Sequence, residues 1–355
     1  MDQPSETNQT KLIENHSSAV PVKRTVATYF LRWGVILTLC AASAFGLTHL
    51  LDSNNQTEFN STTIQAQQPS SPFELQNLTV PRKEVHGGGP PKDGIPAISK
   101  PQFISATQAT YLKPEDRVIG VHLENISRAY PIAILNYHEI INDKIGKLPI
   151  AVSYCPLCDS AVVFDRRLKN GEREFGVSGL LFNSNVLMYD RKGKPESLRS
   201  QMMTQAVSGE SVNEHLKTLP LELTTWKSWK TRHPKTEVLS NQTGHHRDYS
   251  RSPYAGYFQS PKLMFPVDKT DKRLPAKSPV LGIWTSKSSR AYSLASFTED
   301  QTNLKQTIDG IPFTLHYEKE SNSLRISQAG PGIQTVYSLW LAWYAFHTDT
   351  EIYSQ

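Results

Sequence analysis

The sequence predicts an α+β, β-dominated domain that is internally duplicated into two halves and follows an N-terminal transmembrane helix. Three observations predict it: short β-branched segments bounded by turn residues, a set of residues that recurs in the same order, and an apolar run near the N-terminus. Hydrophobic residues make up 38% of the 355 positions and charged residues 20%, which allows a sizeable core. The formal charge of +5 is mild and no basic stripe interleaved with aromatic residues is present, so nucleic acid is not an expected partner.

The first 51 residues predict a membrane anchor. Residues 1–25 form a polar tail with several positive charges, and residues 26–51 are predominantly apolar and long enough to cross a bilayer core. The positive charges precede the apolar run. We therefore expect a single-pass protein of the inner (cytoplasmic) membrane, with its N-terminus in the cytoplasm and its domain in the periplasm or at the cell exterior. A cleaved signal peptide, suggested by residues 41–44, is the alternative. Residues 52–90 predict a polar linker.

A recurring set of residues predicts two copies within the domain, over residues 91–260 and 261–355. The early part of the set recurs 162 positions later: Val118-Ile119-Gly120 and Ser127-Arg128-Ala129-Tyr130 as Val280-Leu281-Gly282 and Ser289-Arg290-Ala291-Tyr292. The late part recurs 114 positions later: Trp226, Trp229 and His233 as Trp340, Trp343 and His347. The smaller offset means that the first copy holds an extra stretch of about 49 residues. The cysteines fall in that region, so we expect the function in the first copy.

The sequence of each copy predicts several short strands followed by one helix. The strands expected in the first copy are Val118–Val121, Arg128–Pro131, His138–Asn142, Leu148–Tyr154, Ala161–Asp165 and Glu174–Ser178. Residues 225–233 place two tryptophans on one face of a helix, and Pro234 ends it. We expect these tryptophans and their later counterparts to be core anchors: Trp226, Trp229, Trp340 and Trp343.

A pair of cysteines marks the predicted functional site. Cys155 and Cys158 close a turn between two β-branched, apolar segments, so the pattern predicts strand, tight turn, strand. The third cysteine, Cys40, lies in the predicted anchor, which leaves the exported domain with this single pair. In an oxidising compartment such a pair is typical of a metal site, a disulfide or a redox centre.

The favoured hypothesis is a metal site. A Cys-Pro-x-Cys turn between strands resembles the knuckle of rubredoxins and zinc ribbons, in which two thiolates hold one ion. His138 is the predicted third ligand, because it precedes the strand that leads into the cysteine turn and the second copy lacks it. Copper is indicated if a methionine completes the site, and zinc if a carboxylate does: Met188, Met202 or Met203 for copper, Glu139 or Asp159 for zinc. No nucleotide or flavin is expected, because the chain has no phosphate loop or dinucleotide fingerprint.

Other hypotheses use the same residues, and whether the protein is an enzyme stays open. In a thiol–disulfide redox centre Cys155 would attack and Cys158 would resolve, although the segment that follows predicts a strand rather than a helix. A cysteine-dependent enzyme would pair Cys155 with His138. A structural disulfide in a docking module is a further alternative. Four polar side chains are predicted to line a substrate pocket: Asn183, Asn185, Tyr189 and Gln201.

Several motifs together resemble the domain of unknown function 3179 family. They are Ile95-Pro96-Ala97, Ser127-Arg128-Ala129-Tyr130-Pro131, His138-Glu139-Ile140-Ile141-Asn142-Asp143, Tyr154-Cys155-Pro156-Leu157-Cys158, Phe175-Gly176-Val177-Ser178-Gly179-Leu180-Leu181, Met188-Tyr189-Asp190-Arg191, Trp226-Lys227-Ser228-Trp229 and Arg247-Asp248-Tyr249. The resemblance runs from about Pro90 to the C-terminus and implies exported or membrane-anchored prokaryotic proteins with no settled activity. The sequence departs from the family pattern at Arg199, where the pattern has Trp. If that Trp lines the site, the pocket here is more polar.

Overall fold

The structure is a computed structural model that describes residues 72–354. The predicted tail, the predicted anchor over residues 26–51 with Cys40, and most of the predicted linker lie outside the described residues. Within residues 72–354, no helix is both long and apolar enough to cross a membrane.

The described part of the chain is dominated by strands, as predicted. Up to residue 240 the elements are β1 (Val85–Gly87), β2 (Phe103–Ser105), β3 (Arg117–Leu123), β4 (Ile126–Pro131), α1 (Ile132–His138), β5 (Ile140–Ile145), β6 (Leu148–Cys155), β7 (Ser160–Asp165), β8 (Arg167–Leu168), β9 (Gly171–Glu172), β10 (Phe175–Phe182), β11 (Asn185–Asp190), β12 (Leu198–Ser200), β13 (Gln205–Ala206), β14 (Thr218–Leu219), β15 (Glu222–Thr225), α2 (Trp226–Arg232) and β16 (Glu237–Leu239).

Beyond residue 240 the elements are α3 (Ala255–Gln259), β17 (Pro279–Trp284), β18 (Ser289–Ser293), β19 (Gln301–Ile308), β20 (Ile311–Glu318), β21 (Ser323–Ala329), β22 (Gln334–Leu339), α4 (Trp340–Phe346) and β23 (Glu351–Ile352). Two short 3₁₀ turns cover Arg82–Glu84 and Leu294–Ser296.

One eight-stranded sheet joins strands from early and late in the chain. Its order is β23-β18-β17-β22-β7-β6-β5, and β14 also pairs with β7. The junction lies between β22 and β7, where Tyr337 is opposite Ala161. Strands β6 and β7 form an antiparallel hairpin whose last pair is Cys155 and Ser160. The cysteine turn therefore projects from the middle of this sheet rather than from its edge.

Smaller sheets surround the eight-stranded one. Their orders are β1-β10-β11-β12-β13, β15-β3-β4-β16-β2, β19-β20-β21 and the short pair β8-β9. Val186 and Met188 of β11, and Met202 in the turn between β12 and β13, belong to the same buried apolar cluster as the two cysteines. The cysteine turn is thus enclosed between side chains of two sheets, which removes it from water.

The four predicted core tryptophans are buried, with 4% or less of each side chain exposed. Trp229 packs directly over Gly120, where an added Cβ would lie 2.2 Å from the indole ring, and Trp343 packs over Gly282, where the distance is 2.1 Å. Only glycine leaves room for such a close approach. The predicted helix over residues 225–233 is confirmed as α2, and the Thr225 side chain accepts a hydrogen bond from its first turn.

Helix α1 is an element that the sequence analysis missed. The analysis placed His138 at the start of a strand, but His138 is the last residue of α1 and the strand begins at Ile140. The helix has only seven residues, which is too short for intrinsic propensity to signal. It is stabilised by tertiary burial, because Ile134 and Leu135 are fully buried.

Candidate functional site

The cysteine turn has the predicted strand–turn–strand geometry. Strand β6 ends at Cys155 and β7 begins at Ser160. The backbone N–H of Cys158 donates to the carbonyl oxygen of Cys155 at 3.2 Å, and that of Asp159 donates to Pro156 at 3.4 Å. Asp159 has φ of 47°, the left-handed conformation that reverses the chain into β7. The four-residue turn therefore brings both thiols to the same end of the hairpin.

Both thiols are free and buried. Cys155 is 1% exposed and Cys158 is fully buried. The carbonyl oxygen of Ser184, in the loop between β10 and β11, lies 3.2 Å from Cys158 Sγ and 3.7 Å from Cys155 Sγ. Any chemistry at this pair therefore takes place in a site from which water is largely excluded.

The two thiols have opposite environments. Burial acts to raise the pKa of Cys155, but hydrogen bonds from the Cys158 thiol and from the backbone N–H groups of Cys158, Val186 and Leu157 together lower it. Burial and the adjacent Cys155 raise the pKa of Cys158 well above its usual range. The two pKa values are therefore shifted in opposite directions, that of Cys155 below and that of Cys158 above the ordinary cysteine value.

A buried carboxyl group lies beside this pair. Glu139 follows α1, has φ of 55° and is 6% exposed. Burial, and then the charge of Cys155, raise the pKa of Glu139 well above its usual range, while a hydrogen bond from the Tyr254 hydroxyl opposes this. A negative charge on Cys155 therefore disfavours one on Glu139, so the titrations of the two groups are linked.

An ion pair fixes the far side of the turn. The Arg117 guanidinium donates two hydrogen bonds to the Asp159 carboxylate, both at 3.0 Å. The Tyr154 hydroxyl donates to the same carboxylate at 2.7 Å. Asp159, a possible zinc ligand in the sequence analysis, is thus engaged in holding the turn in place.

A buried amide and hydroxyl network lies next to Cys158. The Gln201 side chain donates to Ser153 Oγ at 3.0 Å and accepts from Ser160 Oγ at 2.5 Å and from Asn185 Nδ2 at 2.9 Å. Asn185 also hydrogen-bonds the Cys158 thiol. Each of these side chains is at most 1% exposed. Through Asn185, the network fixes the position of the Cys158 side chain.

The predicted pocket residues therefore divide into two groups. Asn185 and Gln201 lie beside the cysteines, whereas Asn183 accepts the backbone N–H of Asp268 at 2.7 Å. Tyr189 packs elsewhere: its hydroxyl donates to Asp93 and its ring lies 4.4 Å from the Lys92 ammonium. The structure thus brings Asn185 and Gln201 together, while Asn183 and Tyr189 bond to other parts of the chain.

His138 is buried, with both ring nitrogens engaged. Its Nδ1 lies 2.7 Å from the carbonyl oxygen of Pro96, and its Nε2 lies 2.6 Å from the Tyr249 hydroxyl. Burial is the main cause that lowers the pKa of His138 to about 4. Neither nitrogen is free for the predicted role as a ligand or as a base for Cys155.

The predicted methionine ligands are also separated. Met188 and Met202 share the buried apolar cluster of the cysteines, whereas Met203 packs against a different cluster. Within residues 72–354, no three His, Cys, Asp or Glu side chains form a group that could hold a metal ion. The metal site stays a prediction without support from the described residues.

A segment that the sequence analysis did not single out lies against the cysteine turn. We call residues 254–268 the cover segment. The Tyr257 hydroxyl donates to the carbonyl oxygen of Leu157 at 2.9 Å, and the Ser184 hydroxyl donates to that of Phe265 at 2.7 Å. The segment also carries two exposed large apolar side chains, Phe258 at 41% and Met264 at 57% exposure. Its Tyr254, Phe265 and Val267 pack against the buried apolar cluster that contains both cysteines.

Arg199 lies in a second buried polar cluster. The guanidinium is fully buried, and its Nη2 donates to Asp190 at 3.1 Å and to Glu214 at 2.8 Å. Its carbon atom lies 5.9 Å from the Phe175 ring centre. The position that departs from the family pattern is therefore occupied here by a charge that two carboxylates balance.

Comparisons with known proteins identify a family. A search of curated proteins and a search of solved structures each found no match. Residues 92–338, more than half of the chain, match the model of the family described as Protein of unknown function (DUF3179). The match contains the cysteine turn, Glu139 and Arg199. The resemblance drawn from the sequence motifs is confirmed, and the chain belongs to the DUF3179 family.

Proposed function

We propose that Cys155 and Cys158 form a thiol–disulfide exchange centre, in which Cys155 attacks and Cys158 resolves. The observation that carries the proposal is the asymmetry of the pair. The backbone N–H groups of Cys158, Val186 and Leu157 and the Cys158 thiol lower the pKa of Cys155, whereas burial and the adjacent Cys155 raise the pKa of Cys158. The thiolate is the nucleophilic form of cysteine, so a lowered pKa marks the attacking sulfur.

The exchange proceeds in two steps. The Cys155 thiolate attacks one sulfur of a substrate disulfide; a mixed disulfide forms, and the other substrate sulfur leaves as a thiolate. Cys158 then loses its proton and attacks the sulfur of Cys155, which forms the Cys155–Cys158 disulfide and releases the second substrate sulfur. Two electrons pass from the protein dithiol to the substrate, and the two substrate thiolates take up protons. The reverse sequence oxidises a substrate dithiol.

Glu139 supplies the proton transfer that these steps need. A carboxyl group with a raised pKa exchanges protons nearer neutral pH than an ordinary one, and Glu139 is electrostatically coupled to Cys155. The Tyr254 hydroxyl, from the cover segment, orients the carboxyl by a hydrogen bond. Access of a substrate requires the cover segment to move, because both sulfurs are buried and this segment packs against their cluster.

A metal site at the same cysteines is the second candidate. The N–H groups that stabilise a Cys155 thiolate would also stabilise a metal thiolate, and Met188 and Met202 lie in the same apolar cluster. The metal site ranks below disulfide exchange because His138 is engaged with Pro96 and Tyr249.

We further propose that the domain works outside the cytoplasm, tethered by residues 26–51, where an exchange centre meets substrate disulfides.

We also infer that the domain arose by duplication. Matching contacts support the inference. The indole N–H donates to a threonine hydroxyl at 2.9 Å in both halves: Trp229 to Thr236, and Trp343 to Thr350. Arginine-to-glutamate bonds also correspond, at 2.8 and 2.9 Å: Arg128 to Glu237, and Arg290 to Glu351. The cysteine turn has no counterpart in the second half, which favours a function specific to the first.

Alkylation order tests the proposed roles. The reduced full-length chain is treated briefly with iodoacetamide at a series of pH values, and modification at each cysteine is quantified by mass spectrometry. We expect Cys155 to react at a lower pH than Cys158, because its thiolate is stabilised. Glutathione in the same tube reports an ordinary thiol. Earlier modification of Cys158, or the same pH profile for Cys155 and glutathione, would contradict the assignment.

A further inference from the structure

Lys277 connects the cover segment to the core of the domain. Its ammonium donates hydrogen bonds to three backbone carbonyl oxygens of the segment: those of Tyr257 at 2.5 Å, Ser260 at 2.6 Å and Lys262 at 2.9 Å. A lysine ammonium carries three N–H groups, so these bonds use every donor that it has. The side chain is therefore engaged with the protein rather than with solvent.

The bonded carbonyl groups lie in the last turn of α3 and just beyond it. The last carbonyl groups of a helix have no partner within the helix, and a nearby lysine can supply one. Helix α3 has only five residues, too few for a helix that is stable by itself in water. The Lys277 ammonium also lies 3.4 Å from the centre of the Tyr257 ring, which is a cation–π contact. The conformation of residues 257–262 therefore depends on Lys277.

The backbone on both sides of Lys277 is bonded to the start of α4. The carbonyl oxygen of Ser278 accepts the N–H of Trp340 at 2.8 Å, and that of Ala276 accepts the N–H of Leu341 at 2.8 Å. Trp340 is 1% exposed and Leu341 is 4% exposed. Lys277 therefore reaches the cover segment from a base that is fixed to the buried core.

Tyr257 joins this connection to the cysteine turn. Its backbone carbonyl accepts from Lys277, and its hydroxyl donates to the carbonyl oxygen of Leu157, between the two cysteines, at 2.9 Å. Burial, and then the charges of Cys158 and Cys155, raise the pKa of Tyr257 above its usual range, as expected for a hydroxyl close to both thiols. The same residue thus carries the bond to Lys277 and the bond to the turn.

The later part of the cover segment is held independently. The Ser184 hydroxyl donates to the carbonyl oxygen of Phe265 at 2.7 Å, and the backbone N–H of Asp268 donates to Asn183 at 2.7 Å. Neither bond includes Lys277. Loss of the Lys277 bonds would therefore release α3 and leave the later part in place, which is a local opening and not an unfolding of the domain.

We propose that Lys277 is a positioning residue of the exchange centre, whose ammonium holds α3 against the cysteine turn and whose release opens the cover segment to a substrate. The proposal rests on the exchange function proposed above, because it assigns the step that gives a substrate access to Cys155. Lys277 acts through Tyr257 and takes no part in the sulfur chemistry. The rate of any reaction at Cys155 is then reduced by the small fraction of molecules that are open.

Thiol labelling of the folded protein tests this proposal. The reduced full-length protein is treated with iodoacetamide at a fixed pH, in urea concentrations below the unfolding transition, and labelling of Cys155 is quantified by mass spectrometry. We expect Lys277→Met to raise the labelling rate about tenfold or more, because three charge-assisted bonds no longer favour the closed state. Lys262→Met is the matched control. It removes an exposed charge from the same segment but keeps the carbonyl group, so it should label as the wild type does.

The dependence on urea separates local opening from a general loss of stability. Local opening exposes little surface, so the faster labelling of Lys277→Met should stay nearly constant in dilute urea. Access through global unfolding would instead make the rate rise steeply with urea, and that result in Lys277→Met would overturn the proposal. An unchanged labelling rate in this variant would also overturn it.

Tyr257→Phe provides a second test that does not depend on the folding of Lys277→Met. It removes only the hydroxyl that donates to Leu157, and we expect faster labelling of Cys155; an unchanged rate would contradict the proposed connection. Reduction of a peptide disulfide, measured on the same proteins, distinguishes the two proposals. Faster labelling of Lys277→Met without disulfide reduction by any of the proteins would refute the exchange centre and still support the positioning role of Lys277.

Discussion

Replacing Cys155 with serine is expected to abolish disulfide exchange, with a loss of about a thousandfold or more in the rate of reduction of a model peptide disulfide. Cys155 is the sulfur that the turn amides prepare for attack, and a serine hydroxyl at the same place stays protonated near neutral pH. The measurement is the release of free peptide thiol by the reduced full-length protein.

Cys158→Ser should behave differently from Cys155→Ser. Cys155 can still attack, but no resolving thiol remains, so the mixed disulfide between Cys155 and the peptide should accumulate and be visible as a mass increase under non-reducing conditions. Cys40→Ser, outside the proposed centre, is the control and should retain the full rate. A mixed disulfide trapped on Cys158 in the Cys155→Ser protein, with none on Cys155 in the Cys158→Ser protein, would reverse the assigned roles.

Glu139→Gln is expected to slow exchange about a hundredfold near neutral pH. Glutamine keeps the size of the side chain and can still accept the Tyr254 hydrogen bond, but it cannot carry a proton. The rate is measured as for the cysteine variants, across pH 5–9. Glu299→Gln, an exposed carboxylate paired with Lys319, is the matched control. An unchanged rate and pH profile in Glu139→Gln would contradict the proton-transfer role.

The stability of Glu139→Gln gives an independent check. The folded carboxyl holds its proton to a higher pH than the unfolded one. Stability of the wild type therefore falls as pH rises from the ordinary carboxyl pKa through the folded one, because the unfolded state releases its proton first. The variant has no carboxyl group at position 139 and so lacks this pH-dependent loss of stability. Its free energy of unfolding relative to the wild type should therefore increase from pH 4 to pH 8. Chemical denaturation at both values measures the difference.

Much of the local structure at the site follows from the sequence. The β-branched segments on both sides of Cys155-Pro156-Leu157-Cys158 predict the hairpin, because such side chains suit a pleated, buried surface. The spacing of the aromatic residues and Pro234 also predict α2, because both are local features of the sequence. The tryptophan positions predict core anchors correctly, because large aromatic side chains are expected to be buried.

The partners of each site residue could not be predicted, because they come from distant parts of the chain. His138 suggests a metal ligand by its position near the turn, yet its ring binds Pro96 and Tyr249, which are 42 and 111 positions away. Tyr254 reaches Glu139 from an irregular segment that carries no periodic pattern. Contacts of this kind depend on tertiary packing, so residue type and spacing alone do not reveal them.

The equilibrium between the Cys155–Cys158 dithiol and its disulfide tests the central claim most directly. Full-length protein is equilibrated in glutathione buffers of graded potential, free thiols are counted by mass tagging, and copper and zinc are measured in the same preparation. The exchange proposal predicts reversible, paired loss of two thiols at a potential less negative than about −300 mV, because stabilising the Cys155 thiolate favours the dithiol. A pair that stays oxidised to more negative potentials would be structural. About one equivalent of metal, lost in both Cys155→Ser and Cys158→Ser, would instead identify a metal centre.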